Sequence, residues 1–486
     1  MDGVMPHWLT KRAYLEPEKI AMELESGEKI SFLDLKQKSE MFAKQLQTLG
    51  VKHGTHVGIL SANHPSFIIA IHALSYIGAV AVLLNVRLTR EEINFQVNDS
   101  NTSLLLTDEV MEQSAKKMSL TIPVQTFSEV ETLKPGDLGV RDEIHTAEAF
   151  TIIYTSGTTG FPKGVIHTYG NHWWSAIGSV LNLGVDASDK WLATLPFYHV
   201  GGLSIFMRSV IYGIPVYVVP KFSEHMVHHA IMHKKVTIAS VVPVMLKRLM
   251  NRLENDIYPQ TFRCMLLGGS AASFSLLKKA KESQVPVFQS YGMTETSSQI
   301  VTLSPGVALE KIGSSGKSLF PAQVQIRHQE NDGIGEIHVK GPMVTNGYYN
   351  RDSENKTVFS DGWLATGDLG YIDREGFLYI VDRRKDLIIS GGENIYPSEI
   401  EGALLTIPGI EEAGVIGKDD DEWGKVPVAC IVKMNPSITE ESILSVLKDI
   451  LASYKIPKEI IFMDRLPRNS SQKLMRGELL KHIKKM

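Results

Sequence analysis

The chain has 486 residues, 43% hydrophobic and 21% charged, which is room for about three globular units and rules out wholesale disorder. Its 39 Gly follow no triplet period and its two Cys are too few for a disulfide scaffold, so collagen-like and Cys-stapled folds are excluded. With 50 basic residues against 54 acidic ones, the net charge of −4 argues against a dedicated nucleic-acid binder.

In chain order, the start Met-Asp-Gly-Val-Met-Pro-His-Trp lacks a basic stretch followed by an apolar one, so no signal peptide is expected. Ser31 reads as a helix N-cap with Asp34 at the third helical position. Leu35, Phe42, Leu46 and Leu49 then recur at helical spacing, and Gly50 is the stop. Val57–Leu60 reads as a buried strand. Between Lys52 and Arg87 there is no Lys, Arg, Asp or Glu. A membrane span needs ~20 mostly apolar residues, and His72, Ser75 and Tyr76 interrupt this run. It parses instead as a buried helix opened by His64-Pro65 and closed by Gly78, then a strand over Ala79–Leu84. No integral membrane segment is expected.

Thr151–Tyr154, Val216–Val219, Val236–Val242, Cys264–Leu267 and Pro286–Gln289 continue the strand pattern, each beside a Gly, Pro or Ser cluster. Strands alternating with helices predict an α/β fold with a mostly parallel sheet covered on both faces. Ligands of such sheets gather at the carboxyl ends of strands. Cys264 and Cys430 belong to no CxxC or Cys/His cluster, which argues against structural zinc and for a reducing, cytoplasmic setting.

From about residue 310 the pattern becomes short strands, Ile334–Val339 and Phe377–Val381, separated by turns such as Asn331-Asp332-Gly333 and Arg374-Glu375-Gly376. This predicts a smaller β-rich subdomain. The charged run Arg383-Arg384-Lys385-Asp386 is a natural hinge, and the ~100 residues after it suffice for a compact α+β domain. The expected organisation is a large N-terminal domain over 1–382, a hinge over 383–385 and a small mobile C-terminal domain over 386–486. The last 32 residues, Lys455–Met486, hold nine Lys or Arg and three Asp or Glu. They read either as a solvated helix end or as a cationic element that approaches phosphates.

The segment Thr155-Ser156-Gly157-Thr158-Thr159-Gly160-Phe161-Pro162-Lys163-Gly164 follows an apolar strand. Its glycines let backbone approach an anion, its hydroxyls add donors and Lys163 adds charge, a composition suited to a polyphosphate. The spacing is not that of a Walker A loop.

That segment resembles the signature of the adenylate-forming superfamily, which includes acyl-CoA synthetases, peptide-synthetase adenylation domains and firefly luciferase. The resemblance runs along essentially the whole chain, with four further matches in order. Gln289-Ser290-Tyr291-Gly292-Met293-Thr294-Glu295 matches a motif whose aromatic lies on adenine, whose Thr contacts the α-phosphate and whose Glu holds Mg²⁺. Those roles are thereby implied for Tyr291, Thr294 and Glu295. In Gly362-Trp-Leu-Ala-Thr-Gly-Asp368, the resemblance gives Asp368 the ribose hydroxyls. In the stretch from Asp382 to Glu399 it gives Arg383 a ribose or phosphate contact, Lys385 the hinge position, and Gly391-Gly392 the approach to the phosphopantetheine arm of CoA. In Pro467-Arg-Asn-Ser-Ser-Gln-Lys473 it gives Lys473 the family's near-universal catalytic lysine, although Gln472 stands where Gly is usual.

Leu266-Leu-Gly-Gly269-Ser270 resembles the segment flanking adenine and substrate. Pro196-Phe-Tyr-His199-Val-Gly-Gly202 resembles the wall of the acyl pocket. The wording of these segments, of Tyr291–Gln299 and of Gly313–Lys317 is similar to one branch, the acid–CoA ligases of bacterial menaquinone biosynthesis. Substrates of that branch carry a second carboxylate, for which His199, Arg208 and Ser298 are candidate donors. The implied activity is adenylation of a small carboxylic acid by ATP with Mg²⁺, then transfer of the acyl group to CoA. An aryl or medium-chain acyl-CoA synthetase, and a stand-alone enzyme that loads a carrier protein, stay open. Related ligases are commonly dimers or tetramers, so a homo-oligomer is a further expectation.

Overall fold

The computed structural model describes residues 3–483 except 119, 138, 156–161, 255, 270–271, 304–306, 308–309, 329–332, 384–385, 391–392, 421–422, 452 and 470–472. The expected helices form where their signals lie. Helix Phe32–Thr48 starts at a capping box in which Ser31 Oγ accepts from Asp34 N and the Asp34 carboxylate accepts from Ser31 N. Helix Pro65–Ile77 is capped by His64 and closed by Gly78 in the left-handed region. All eleven residues Phe67–Ile77 are buried, so the uncharged stretch is an internal helix. Among the described residues no helix is long and apolar enough to cross a membrane.

The expected α/β layering of the N-terminal region is built on two sheets. A six-stranded sheet runs in the order Lys163–Thr168, Ala149–Thr155, Val80–Leu83, His56–Leu60, Leu104–Thr107, Val124–Thr126. Its neighbours are parallel except the first pair. A nine-stranded sheet has a parallel centre and antiparallel edges. One hydrophobic cluster joins residues of both sheets to the helix Pro65–Ile77, which explains why that helix is apolar on every face. Alternation of strand and helix does not say where a chain changes sheets, so the sequence pattern could not separate the two.

A five-stranded antiparallel sheet over residues 323–383 is the expected β-rich subdomain. After residue 386 a second five-stranded sheet packs with helices Pro397–Leu404, Glu440–Ile450 and Arg476–Ile483. Hydrophobic clusters of the described residues divide in the same way, none mixing residues up to 380 with those from 388 onward. The architecture is a large α/β N-terminal domain and a small α+β C-terminal one.

Candidate active site

The phosphate-loop segment is shorter than the sequence suggested. Thr155 ends one strand, and Lys163-Gly164 begin its antiparallel partner in register with Thr155 and Tyr154. Val165, Ile166 and Thr168, all β-branched, carry that strand onward. Ser156, Gly157, Thr158 and Thr159 lie outside the described residues. Lys163 is buried; its Nζ is 3.3 Å from Glu354 Oε1 and 5.2 Å from the centre of the Tyr348 ring.

Strand Val287–Met293 carries Gln289, Ser290, Tyr291, Gly292 and Met293 out of the nine-stranded sheet. It turns back through Thr294–Thr296 into the antiparallel strand Ser298–Thr302. Gly292 is required here, because a Cβ would collide with the Ser298 carbonyl oxygen. Ser290 Oγ donates to the Leu267 carbonyl at 3.0 Å, which ties the motif to the strand preceding Gly269. Gly269 itself has φ +87°, in the region that favours glycine. Ser270 lies outside the described residues.

Tyr291 OH donates to Asp368 Oδ2 at 2.8 Å, both residues being buried. Asp368 sits in strand Trp363–Ile372 with Arg383 opposite in register. Tyr291 and Asp368 thus meet although they come from different sheets. Glu295 is buried, and its Oε1 accepts from Tyr348 OH at 2.9 Å. Burial, reinforced by the Glu295 charge, pushes the Tyr348 phenol up, so it remains a donor. Thr345 N donates to the Glu295 carbonyl at 2.8 Å. Among the described residues no group of three or more His, Cys, Asp or Glu could hold a metal ion. The buried Glu295 carboxylate, without a cluster of further ligands, fits Mg²⁺, a hard ion that takes few protein oxygens and completes its shell with water and phosphate.

On the acid side, Asn63 fixes the loop before His199: its Oδ1 accepts from Phe197 N at 2.9 Å and its Nδ2 donates to Leu195 O at 3.0 Å. His199 then caps helix Val200–Tyr212, and Gly202 is required in its first turn because a Cβ would collide with the Pro196 carbonyl. The imidazole keeps some surface but is crowded on most sides. This burial pulls its pKa down to about 4, and the charges of Arg87 and Lys473 push the same way. The charge of Lys473, from the C-terminal domain, thus reaches His199. Lys473 itself is exposed and tied to Asn469, whose N donates to Lys473 O and whose Oδ1 accepts from Lys473 N, both at 2.9 Å.

Arg208, nine residues further along the helix, is 1% exposed. Its Nη2 donates to Ser298 Oγ at 3.2 Å and its guanidinium lies 5.2 Å from the Trp191 ring centre. Its Nε has no hydrogen-bond partner, and the groups that favour its charge are Tyr212 and Cys264 rather than a carboxylate. Burial pulls its pKa below the ordinary arginine value.

Lys385, Gly391 and Gly392 lie outside the described residues, and Arg383 is placed by its backbone alone. Sequence reasoning missed Tyr348, Glu354 and Arg87. The first two are brought to the site by long-range pairing. Arg87 carried a signal: it is the first charge after the uncharged run, just past the carboxyl end of a strand.

The AMP-binding enzyme family model matches residues 9–349, and the AMP-binding enzyme C-terminal domain model matches 399–473. The chain is 55% identical to the 2-succinylbenzoate–CoA ligase of Oceanobacillus iheyensis, over 99% of this chain and 100% of that one. It superimposes on o-succinylbenzoate CoA synthetase from Bacillus subtilis in complex with the acyl-adenylate intermediate OSB-AMP with TM-score 0.94, at 45% identity and 98% coverage of both chains. A double mutant of the Bacillus subtilis enzyme bound with its product analogue OSB-NCoA, also 45% identical, gives TM-score 0.77 over 99% of this chain and 98% of that one. Equal identity with unequal superposition means that those two solved states differ in arrangement. This chain has the arrangement of the first, in keeping with Lys473 near His199.

Proposed function

The chain belongs to the AMP-binding enzyme family, and we propose that it is a 2-succinylbenzoate–CoA ligase of menaquinone biosynthesis. It adenylates the acid with ATP and passes the acyl group to CoA, releasing pyrophosphate and AMP. The observation that carries the choice of acid is Arg208, a fully buried guanidinium that pairs with no carboxylate among the described residues and is bonded to Ser298 just after Thr294-Glu295. Nine residues of helix separate it from His199, about 13 Å of rise. In this reading Arg208 and Ser298 meet one carboxylate of the diacid, while His199, Arg87 and Lys473 lie on the side of the carboxylate that is activated.

In the first half-reaction one substrate carboxylate attacks the α-phosphorus and pyrophosphate leaves. The protein forms no covalent bond; it positions and neutralises. Tyr291 covers the base, Asp368 accepts from the ribose hydroxyls and Arg383 lies opposite it. Thr155, the following turn and Lys163 meet the polyphosphate, and Thr294 meets the α-phosphate. Lys163 exchanges Glu354 for phosphate when ATP arrives. Glu295 would hold Mg²⁺, whose charge would offset that of the phosphates. Gly269 and Ser270 flank adenine and substrate. Lys473 stabilises the negative charge that develops between carboxylate and phosphate. His199, held neutral by burial, lines the acid without competing for it as a cation.

In the second half-reaction the CoA thiol attacks the acyl carbon and AMP leaves. The domain over 386–486 turns about the hinge 383–385, Lys473 withdraws from the domain over 1–382, and Gly391-Gly392 admit the CoA arm. We place the enzyme in the cytoplasm, where its two buried, unpaired cysteines stay reduced. A homo-oligomer belongs to the same proposal and is checked by light scattering. The deciding experiment is acid-dependent exchange of labelled pyrophosphate into ATP over a panel of acids. Dominance of 2-succinylbenzoate, followed by thioester formation with free CoA, supports the reading. Dominance of fatty or simple aryl acids removes the substrate assignment and leaves the family chemistry.

A further inference from the structure

The Thr294-Glu295 turn is fastened from behind by two histidines that have no part in the chemistry above. His167 lies in strand Lys163–Thr168 and His172 in the first turn of helix Tyr169–Leu183. Both are buried, as is Thr151 on the adjacent strand. His167 Nε2 is 2.7 Å from the Thr294 carbonyl oxygen, and His167 Nδ1 is 3.2 Å from Thr151 Oγ. Thr151 Oγ is in turn 3.0 Å from His172 Nε2.

Donor and acceptor chemistry allows one direction through this chain. A carbonyl only accepts, so His167 carries its proton on Nε2. Its Nδ1 is then bare and accepts a hydrogen bond from the Thr151 hydroxyl. The Thr151 oxygen in turn accepts from His172 Nε2–H. Every partner is satisfied with both rings neutral. Neutrality is enforced by burial, which pulls His167 down to about 4 and His172 well below the ordinary value.

The carbonyl at the end of the chain belongs to the peptide that joins Thr294 to Glu295. That peptide is planar, so holding its oxygen also fixes the Glu295 nitrogen and the direction in which the carboxylate leaves the backbone. We propose that His167, oriented by Thr151 and His172, is a positioning residue that aims Glu295 at the metal–pyrophosphate end of the adenylation step. This rests on the reading of Glu295 as the Mg²⁺ ligand.

The test compares His167→Leu, His167→Gln and Glu295→Gln in the full chain, with calorimetric affinities for MgATP and for AMP beside pyrophosphate exchange. Losing one hydrogen bond to a positioned group is expected to weaken MgATP binding about tenfold in His167→Leu. The Mg²⁺ needed for half-maximal exchange should rise by a similar factor, with AMP affinity held within about twofold. His167→Gln should recover most of the loss, since its amide N–H can reach the same carbonyl. Equal loss of AMP and MgATP affinity, or no recovery in the Gln variant, overturns the positioning role. If Glu295→Gln leaves MgATP affinity unchanged, the ligand reading fails. If Glu295→Gln weakens it and His167→Leu does not, only the positioning role fails. Should the Leu variant not fold, nitrogen NMR of ¹⁵N-histidine-labelled wild type decides: His167 must be the Nε2–H tautomer, and an Nδ1–H tautomer refutes the wiring.

Discussion

Replacing Arg208 by Met separates recognition from stability, because the two should move in opposite directions. Without substrate, the guanidinium is fully buried, bonded to Ser298 Oγ and to the Tyr212 hydroxyl, with a ring face at 5.2 Å, and among the described residues no carboxylate pairs with it. Met fills similar volume and removes the desolvation cost, so the apo variant should melt no lower than wild type. Buried charged groups replaced in this way are often neutral or stabilising by roughly 1–4 kcal/mol. With 2-succinylbenzoate bound, the variant leaves the second carboxylate without its cation. A hydrogen bond to a charged group contributes about 1.5–3 kcal/mol, so kcat/KM for this acid should fall about 10- to 150-fold. The assay is pyrophosphate exchange with 2-succinylbenzoate and with the analogue that lacks the ring carboxylate. Wild type should discriminate strongly between them and Arg208→Met should discriminate weakly. Equal losses on both acids together with a lowered melting point would mean that Arg208 merely supports the fold, and the reasoning would be refuted.

Lys473→Ala should abolish adenylation while a pre-made acyl-adenylate still reacts with CoA, measured as the two half-reactions; equal loss of both removes the role assigned to Lys473. Tyr291→Phe deletes the hydroxyl that donates to Asp368, and loss of one such bond, about 1 kcal/mol, should raise the KM for ATP roughly fivefold with little change in the KM for the acid. Stability should fall in mild acid. Burial holds His72 at about 4 against an ordinary 6.5, so between those values the unfolded chain binds the extra proton and the folded one does not. Stability therefore rises with pH across that window, with His72 alone supplying a slope of up to about 1.4 kcal/mol per pH unit. Urea titrations at about pH 5 and about pH 7.5 should show this, and His72→Leu, whose Nε2 has no partner to lose, should flatten the dependence by that share.

The parts of the site that the sequence revealed are those whose chemistry is contiguous. Gln289–Glu295 was legible because the residues of the family motif it resembles are contiguous; that Gly292 lets a hairpin close there is known only from the structure. The cap at Ser31 and the stop at Gly78 are equally local. What stayed hidden is set by where strands land. Lys163 seemed to end a loop, yet the strand it opens pairs antiparallel with Ala149–Thr155 and receives Tyr348 and Tyr349 from nearly two hundred residues downstream, through the Val165–Tyr348 bridge and the Tyr349 N to Gly164 O bond. That crossing puts the Tyr348 hydroxyl on Glu295 and Glu354 beside Lys163, and no spacing in the sequence encodes it. His167 and His172 present the same difficulty in sharper form. Each has the pattern of an ordinary core histidine, and only the placement of Thr151 between them and of the Thr294 carbonyl beyond them turns two buried rings into a chain with a direction. Residue type names the chemistry available at a position, while topology decides which of the available chemistries meet.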